Sequence, residues 1–139
     1  MSALLVLRIG LVVWVIWHAA FGILSTFFPE VGADIVGWSP GPGWSDALLA
    51  MSKQYGMVML LLAGVYFIML LDPARYINFL WVAVAEQLLG IGYGAYIYTM
   101  IGQLTATQLT LQAVGNLAII GAIVILWTRL RQPQTPVPA

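Results

Sequence analysis

The sequence contains no cysteine. Disulfides, thiolate nucleophiles, iron–sulfur clusters and thiol-based quinone reduction are therefore excluded. Charge is scarce as well: five basic and five acidic residues in 139, for a formal net charge of zero. So sparse and balanced a set builds no polyanion-binding surface and gives no sign of nucleic acid as a partner. One histidine, His18, rules out bis-histidine haem ligation and a multi-histidine metal site within a single chain. Nor does the chain carry a nucleophile–base pair, a metal-ligand cluster, a phosphate loop or a nucleotide motif. No catalytic residue and no cofactor is expected.

What is present is apolar. The chain is 62% hydrophobic and 7% charged. A soluble domain of this length cannot hide that much apolar surface, so lipid is the expected solvent for most of it. Ile9 to Phe28 is an apolar run of about 20 residues holding Trp14, Trp17 and Phe21. It is longer than the apolar region of a signal peptide, no small-residue cleavage pattern follows, and Pro29 stops it. A retained first membrane helix is expected at about 4–28.

Residues 29–45 form the long connection, dense in proline and glycine from Gly37 to Trp44. That density forbids a regular helix there, and Trp38 and Trp44 suit the headgroup zone. Pro29 to Val36 is expected to make a short helical turn on the surface. Ser45 and Asp46 suit the start of a second helix, at 46–71. Asp72-Pro73 reads as an N-cap followed by proline in the first turn, so a third helix is expected at 73–101, making a tight hairpin with the second. Gly102 suits the left-handed position after it. Thr105 and Gln108 have capping-box spacing before a fourth helix at 105–128, and the proline-rich tail is 132–139. The fold class expected is all-α, a single integral membrane domain over 1–131 built as an up-down-up-down four-helix bundle.

With four spans, Arg8, Arg75, Arg129 and Arg131 fall on one side and Lys53 on the other. The positive-inside rule makes the first side cytoplasmic, with both termini there and Glu30, Asp34 and Asp46 outside.

Glu86 is the carboxylate about halfway along the third span. At 1.5 Å per residue it lies roughly 15 to 20 Å from the cytoplasmic end, where charge is costly. The same count brings His18 and Asn116 to about that depth. Thr105, Gln108, Gln112 and Asn116 share one face of the last helix, while Glu86, Gly90 and Gly94 share a face of the third, with Gly92 and Tyr93 alongside. Gly10, Trp14, His18, Gly22 and Ser25 follow a comparable line on the first. A mid-membrane polar cluster of Glu86, His18, Asn116 and Gln112 is therefore expected in the bundle interior. Two interpretations stand. In one, a neutral Glu86 donates to Asn116, His18 or a backbone carbonyl and the cluster sets helix register. In the other, the polar face and Glu86 line a wet half-channel or a small cavity that exchanges protons or holds a polar headgroup. His18 is also a candidate axial ligand for a haem or chlorophyll-type pigment. Tyr93, Tyr96, Tyr98 and Met100 collect near the outer interface, as an aromatic belt or company for a quinone headgroup.

Several short strings carry a family resemblance: Phe28-Pro29 at the end of the first helix, Lys53-Gln54-Tyr55-Gly56 opening the second, and Asp72-Pro73-Ala74-Arg75-Tyr76 between the second and third. With a buried polar residue in the third helix, they make the chain resemble the small bacterial four-helix membrane proteins called BphX-like. More distantly it resembles the DoxX-like group, which is linked to thiosulfate–quinone or redox-complex roles. The resemblance spans nearly the whole chain and implies a bacterial inner-membrane bundle. This chain departs from redox work in having neither cysteines nor cofactor motifs. The function expected is a non-catalytic accessory or interaction subunit of a larger membrane complex. Its partners would be the bilayer, other membrane subunits or further copies of itself. The alternatives are a small carrier or quinone/lipid-binding protein with its site at Glu86, and a pigment- or haem-associated subunit using His18.

Overall fold

The structure, a computed structural model, describes residues 2–35, 37, 40, 43–102 and 105–131. Trp38 and the proline-rich tail 132–139 lie outside the described residues. The chain is all-helical there, with five α-helices: α1 (Ala3–Phe27), α2 (Pro29–Ile35), α3 (Asp46–Leu71), α4 (Leu80–Tyr96) and α5 (Ala106–Arg131). Four helical stretches are long and apolar enough to cross a membrane: α1, α3, Ile77–Met100 around α4, and α5.

Helix boundaries follow local chemistry. Pro29 occupies the first position of α2, where its missing N–H is no loss. Ser45 caps α3 through its hydroxyl, which accepts the Leu48 N–H at 3.2 Å. The box before α5 closes reciprocally. Thr105 Oγ1 accepts the Gln108 N–H at 3.2 Å while Gln108 Oε1 accepts the Thr105 N–H at 2.9 Å. Gly102 takes the left-handed conformation, φ 71°, and its N–H reaches the Ile97 carbonyl at 2.9 Å.

The start of α4 corrects the expectation of a helix from residue 73. Asp72 is the residue that ends α3, with φ −142° and ψ 80°. Residues 73–76 form turns and Ile77–Phe79 a 3-10 turn before α-helical winding begins at Leu80. The physical cause is local: Phe79 N–H bonds the Tyr76 carbonyl three residues back, at 2.9 Å. Around that tight winding the Tyr76 and Phe79 rings meet edge to face, and the Arg75 guanidinium lies 5.4 Å from the Tyr76 ring centre. At its other end α4 passes into a π-helical turn, Ile97–Ile101. α5 extends past the expected 128 to Arg131, so both terminal arginines lie in its last turn, favourably placed for the helix dipole.

The chain divides into two compact units, Leu5–Pro73 and Ala74–Ala139 with Met1–Leu4. In the Leu5–Pro73 unit, α1 and α3 pack antiparallel, their partners running in opposite chain directions. Gly22 and Gly56 mark the closest approach. A Cβ on Gly56 would collide with Thr26 Oγ1 and sit 2.6 Å from Thr26 N and 2.8 Å from the Gly22 carbonyl oxygen. A Cβ on Gly22 would meet Leu60 Cγ at 2.7 Å and Leu60 N at 3.0 Å. Only hydrogens fit, and the backbones approach as small residues allow in membrane helix pairs. Ser52 Oγ donates to the Ser25 carbonyl at 3.3 Å beside this crossing. α2 folds back so that Gly32 lies against Leu24 of α1.

Gly56→Ala is expected to lower stability by about 1 to 3 kcal/mol, because its clash is with backbone that cannot rotate away. Gly64→Ala, on the same helix with nothing near the added methyl, should be neutral or gain up to about 1 kcal/mol from helix propensity. Unfolding of the two variants in mixed micelles compares them directly; equal midpoints would be inconsistent with the packing described.

Candidate functional site

The sequence places its polar residues on α1, α4 and α5. In the Ala74–Ala139 unit, α4 and α5 pair antiparallel, and the glycines of α4 receive carboxamides from α5. Gln112 Nε2 donates to the Gly90 carbonyl at 3.0 Å, and Asn116 Nδ2 donates to the Gln87 carbonyl at 3.3 Å. Both carbonyls lie within α4, so the amides add a second donor to groups already in the helical ladder. The glycines make room for this. A Cβ on Gly90 would lie 2.9 Å from Asn116 Nδ2, and one on Gly94 would lie 2.8 Å from Gln112 Oε1. Gln112 and Asn116 are half-buried.

Glu86 lies one turn before Gly90 on α4 and is half-buried. The neighbouring Gln87 is the more enclosed of the two, 7% exposed. Gln108, at the end of the polar face of α5, is engaged in the capping box described above and is exposed. The face thus divides by role: a cap at Thr105 and Gln108, then interhelical donors at Gln112 and Asn116.

His18 belongs to the Leu5–Pro73 unit. It is fully buried, and its Nδ1 bonds the Trp14 carbonyl at 2.8 Å. A carbonyl only accepts, so Nδ1 carries the proton in this arrangement. The Tyr66 ring of α3, also fully buried, lies 5.1 Å from the imidazole and meets the Trp14 ring nearly at a right angle, 84°, at 6.2 Å. Trp14, His18, Gly22 and Ser25 all take part in the α1–α3 pairing; Gly10 has open space beside it.

The structure therefore brings Gln112 and Asn116 of α5 against carbonyls of α4, and it encloses His18 among aromatic rings in its own unit. The expected gathering of all four polar residues joins both units, so each unit stands here with its own contacts. Two residues escaped the sequence reading. Tyr66 sits in a run of apolar residues, where a lone phenol is itself a polar signal. Gln87 stands beside Glu86, and its depth equals that of its neighbour. Tyr93 and Tyr96 stack at 6.5 Å near the end of α4 and are more than half exposed, as is Met100.

Compared with family models, curated proteins and solved structures, the chain finds no match.

Replacing Gln112 by Met removes its donor while keeping length and flexibility. The expected loss is about 0.6 kcal/mol, at most about 2, as for membrane interhelical hydrogen bonds. Gly94→Ala should cost more than Gln112→Met alone and less on the Gln112→Met background, where the thioether bends away. A double-mutant cycle by detergent unfolding reads the coupling; strict additivity would count against the amide-on-glycine contact.

Proposed function

We propose that the chain is a non-catalytic four-span protein of a bacterial inner membrane, of the BphX-like kind, acting as an accessory or interaction subunit of a larger membrane complex. In this proposal the spans run up-down-up-down, both termini are cytoplasmic and the loop at 29–45 is outside. α5 carries the argument. It is apolar enough to span, yet none of its residues is buried within the chain, and Leu111, Val114, Leu117 and Ile125 are all more than half exposed. Such a helix needs lipid or another protein around it.

The preference for a subunit over a carrier rests on the amides. Gln108, Gln112 and Asn116 each bond within the chain, which is how polar residues hold membrane helices together. A carrier or quinone/lipid site at Glu86 is the second reading, favoured by a carboxyl midway along an apolar helix that keeps part of its surface accessible. His18 as a pigment or haem ligand has less support, since its ring is fully enclosed.

The cysteine-free sequence allows a direct topology test. Ala47→Cys should react with an impermeant thiol reagent on intact cells, and Thr128→Cys only after permeabilisation. The opposite pattern would invert the orientation.

Native purification in mild detergent tests the function. The wild-type chain and Glu86→Gln should both retain a second membrane protein at fixed stoichiometry. A chain that emerges with lipid alone argues against a subunit. Ligand binding or transport that is lost in Glu86→Gln would transfer the function to the carrier reading.

A further inference from the structure

A second feature of the Ala74–Ala139 unit stands apart from the amide pairing. Leu80, Trp81 and Val84 of α4 and Ile123, Val124 and Trp127 of α5 line a shallow, wholly apolar recess. The Trp81 and Trp127 rings meet edge to face, 5.6 Å between centres. The Arg131 guanidinium lies 4.5 Å from the centre of the Trp127 ring and donates to the Asn78 carboxamide oxygen. Arg131 and Arg129 are both exposed at the end of α5. From residue 74 onward the sequence has three arginines and a single acid, Glu86, which is eight residues and about 12 Å along the helix from Asn78. The apolar recess therefore ends at the Arg131 guanidinium, which stacks on the Trp127 ring.

We propose that this corner binds one anionic phospholipid, with its phosphate on Arg131 and an acyl chain lying over the apolar side chains that line the recess. The proposal rests on the membrane reading above, which puts this arginine at the cytoplasmic leaflet, where anionic lipid is concentrated. A guanidinium presents five donors in a fork matched to phosphate oxygens, and Asn78 occupies only part of that capacity. The Trp127 face and Asn78 already hold Arg131 in place, so less freedom is lost on binding. The lining is hydrocarbon and indole, which favours a lipid over free phosphate.

Native mass spectrometry of the full chain in mild detergent, with equal phosphatidylglycerol and phosphatidylcholine, tests the site. One phosphatidylglycerol should be retained at about tenfold preference, and Arg131→Gln should reduce that preference about fivefold. Asn78→Ala, which frees the guanidinium, should reduce it less. Arg8→Gln, a cytoplasmic arginine outside this unit, should leave it unchanged. Equal retention of both lipids in the wild-type chain overturns the proposal. An equal fall in Arg8→Gln also overturns it, leaving only diffuse attraction, and displacement by inorganic phosphate makes the site one for a free anion. Flotation with liposomes separates the two levels: a chain that floats but shows no preference loses the site and keeps the membrane reading, whereas one that fails to float loses both.

Discussion

The closeness of helix backbones is the constraint on which the rest of this structure depends. Gly22 and Gly56 in one unit, and Gly90 and Gly94 in the other, stand where a side chain would collide with a neighbouring helix. Four of the helices are long and apolar enough to cross a membrane, and for helices of that kind surrounded by lipid it is packing and hydrogen bonds, not hydrophobic burial, that favour one helix partner over another. The two pairings answer that need differently. At the α1–α3 crossing the glycines admit backbone, with Thr26 and the Gly22 carbonyl in contact range of Gly56. At the α4–α5 pairing they admit carboxamides, and Gln112 and Asn116 reach carbonyls that a Cβ would help to screen.

This difference also separates the roles of the polar residues. A carboxamide bonded to a helix carbonyl is a fixed contact with no titrating proton. His18, enclosed with Tyr66 and bonded through Nδ1 to its own helix, is likewise an element of packing in α1 and α3. Glu86 is the acid among them, and its half-exposure leaves the accessory and carrier readings distinguishable by experiment. The interior polarity of each unit is thus mostly amide, imidazole and hydroxyl, chemistry suited to specifying how helices meet.

Much of this was legible from residue types. Long apolar runs gave the number of membrane-length helices. Ser45, Gly102 and the Thr105–Gln108 box marked ends because caps act over a few residues. Helical spacing put Gly90 and Gly94 on one face of their helix and Gln112 and Asn116 on one face of theirs, but that these two faces meet was not legible, since spacing within a segment does not say which helix lies opposite. The start of α4 was misread because Asp-Pro has two uses. The pair can cap a new helix, but Asp72 here closes the preceding one, and the tight turns from 73 to 79 depend on how Tyr76 and Phe79 pack. Gly56 carried no signal of its own, since nothing in its neighbours reveals that Thr26 lies opposite. Tyr66 and Gln87 were hidden for a similar reason: their enclosure is decided by which helix lies alongside.

The π-helical turn at Ile97–Ile101 has an effect on how this chain's patterns are compared with others. Such a turn accommodates one more residue than an α-turn, a phase offset of about 100°. Tyr93 and Tyr96 are wound in α-helical phase, while Tyr98 and Met100 lie within the wider turn and face a direction that simple period counting from Glu86 would misassign. A homologue one residue shorter at this point would keep every contact below the turn and rotate only what lies above it, so sequence alignments through 97–101 should allow a single-residue gap there without implying any change in how α4 meets α5.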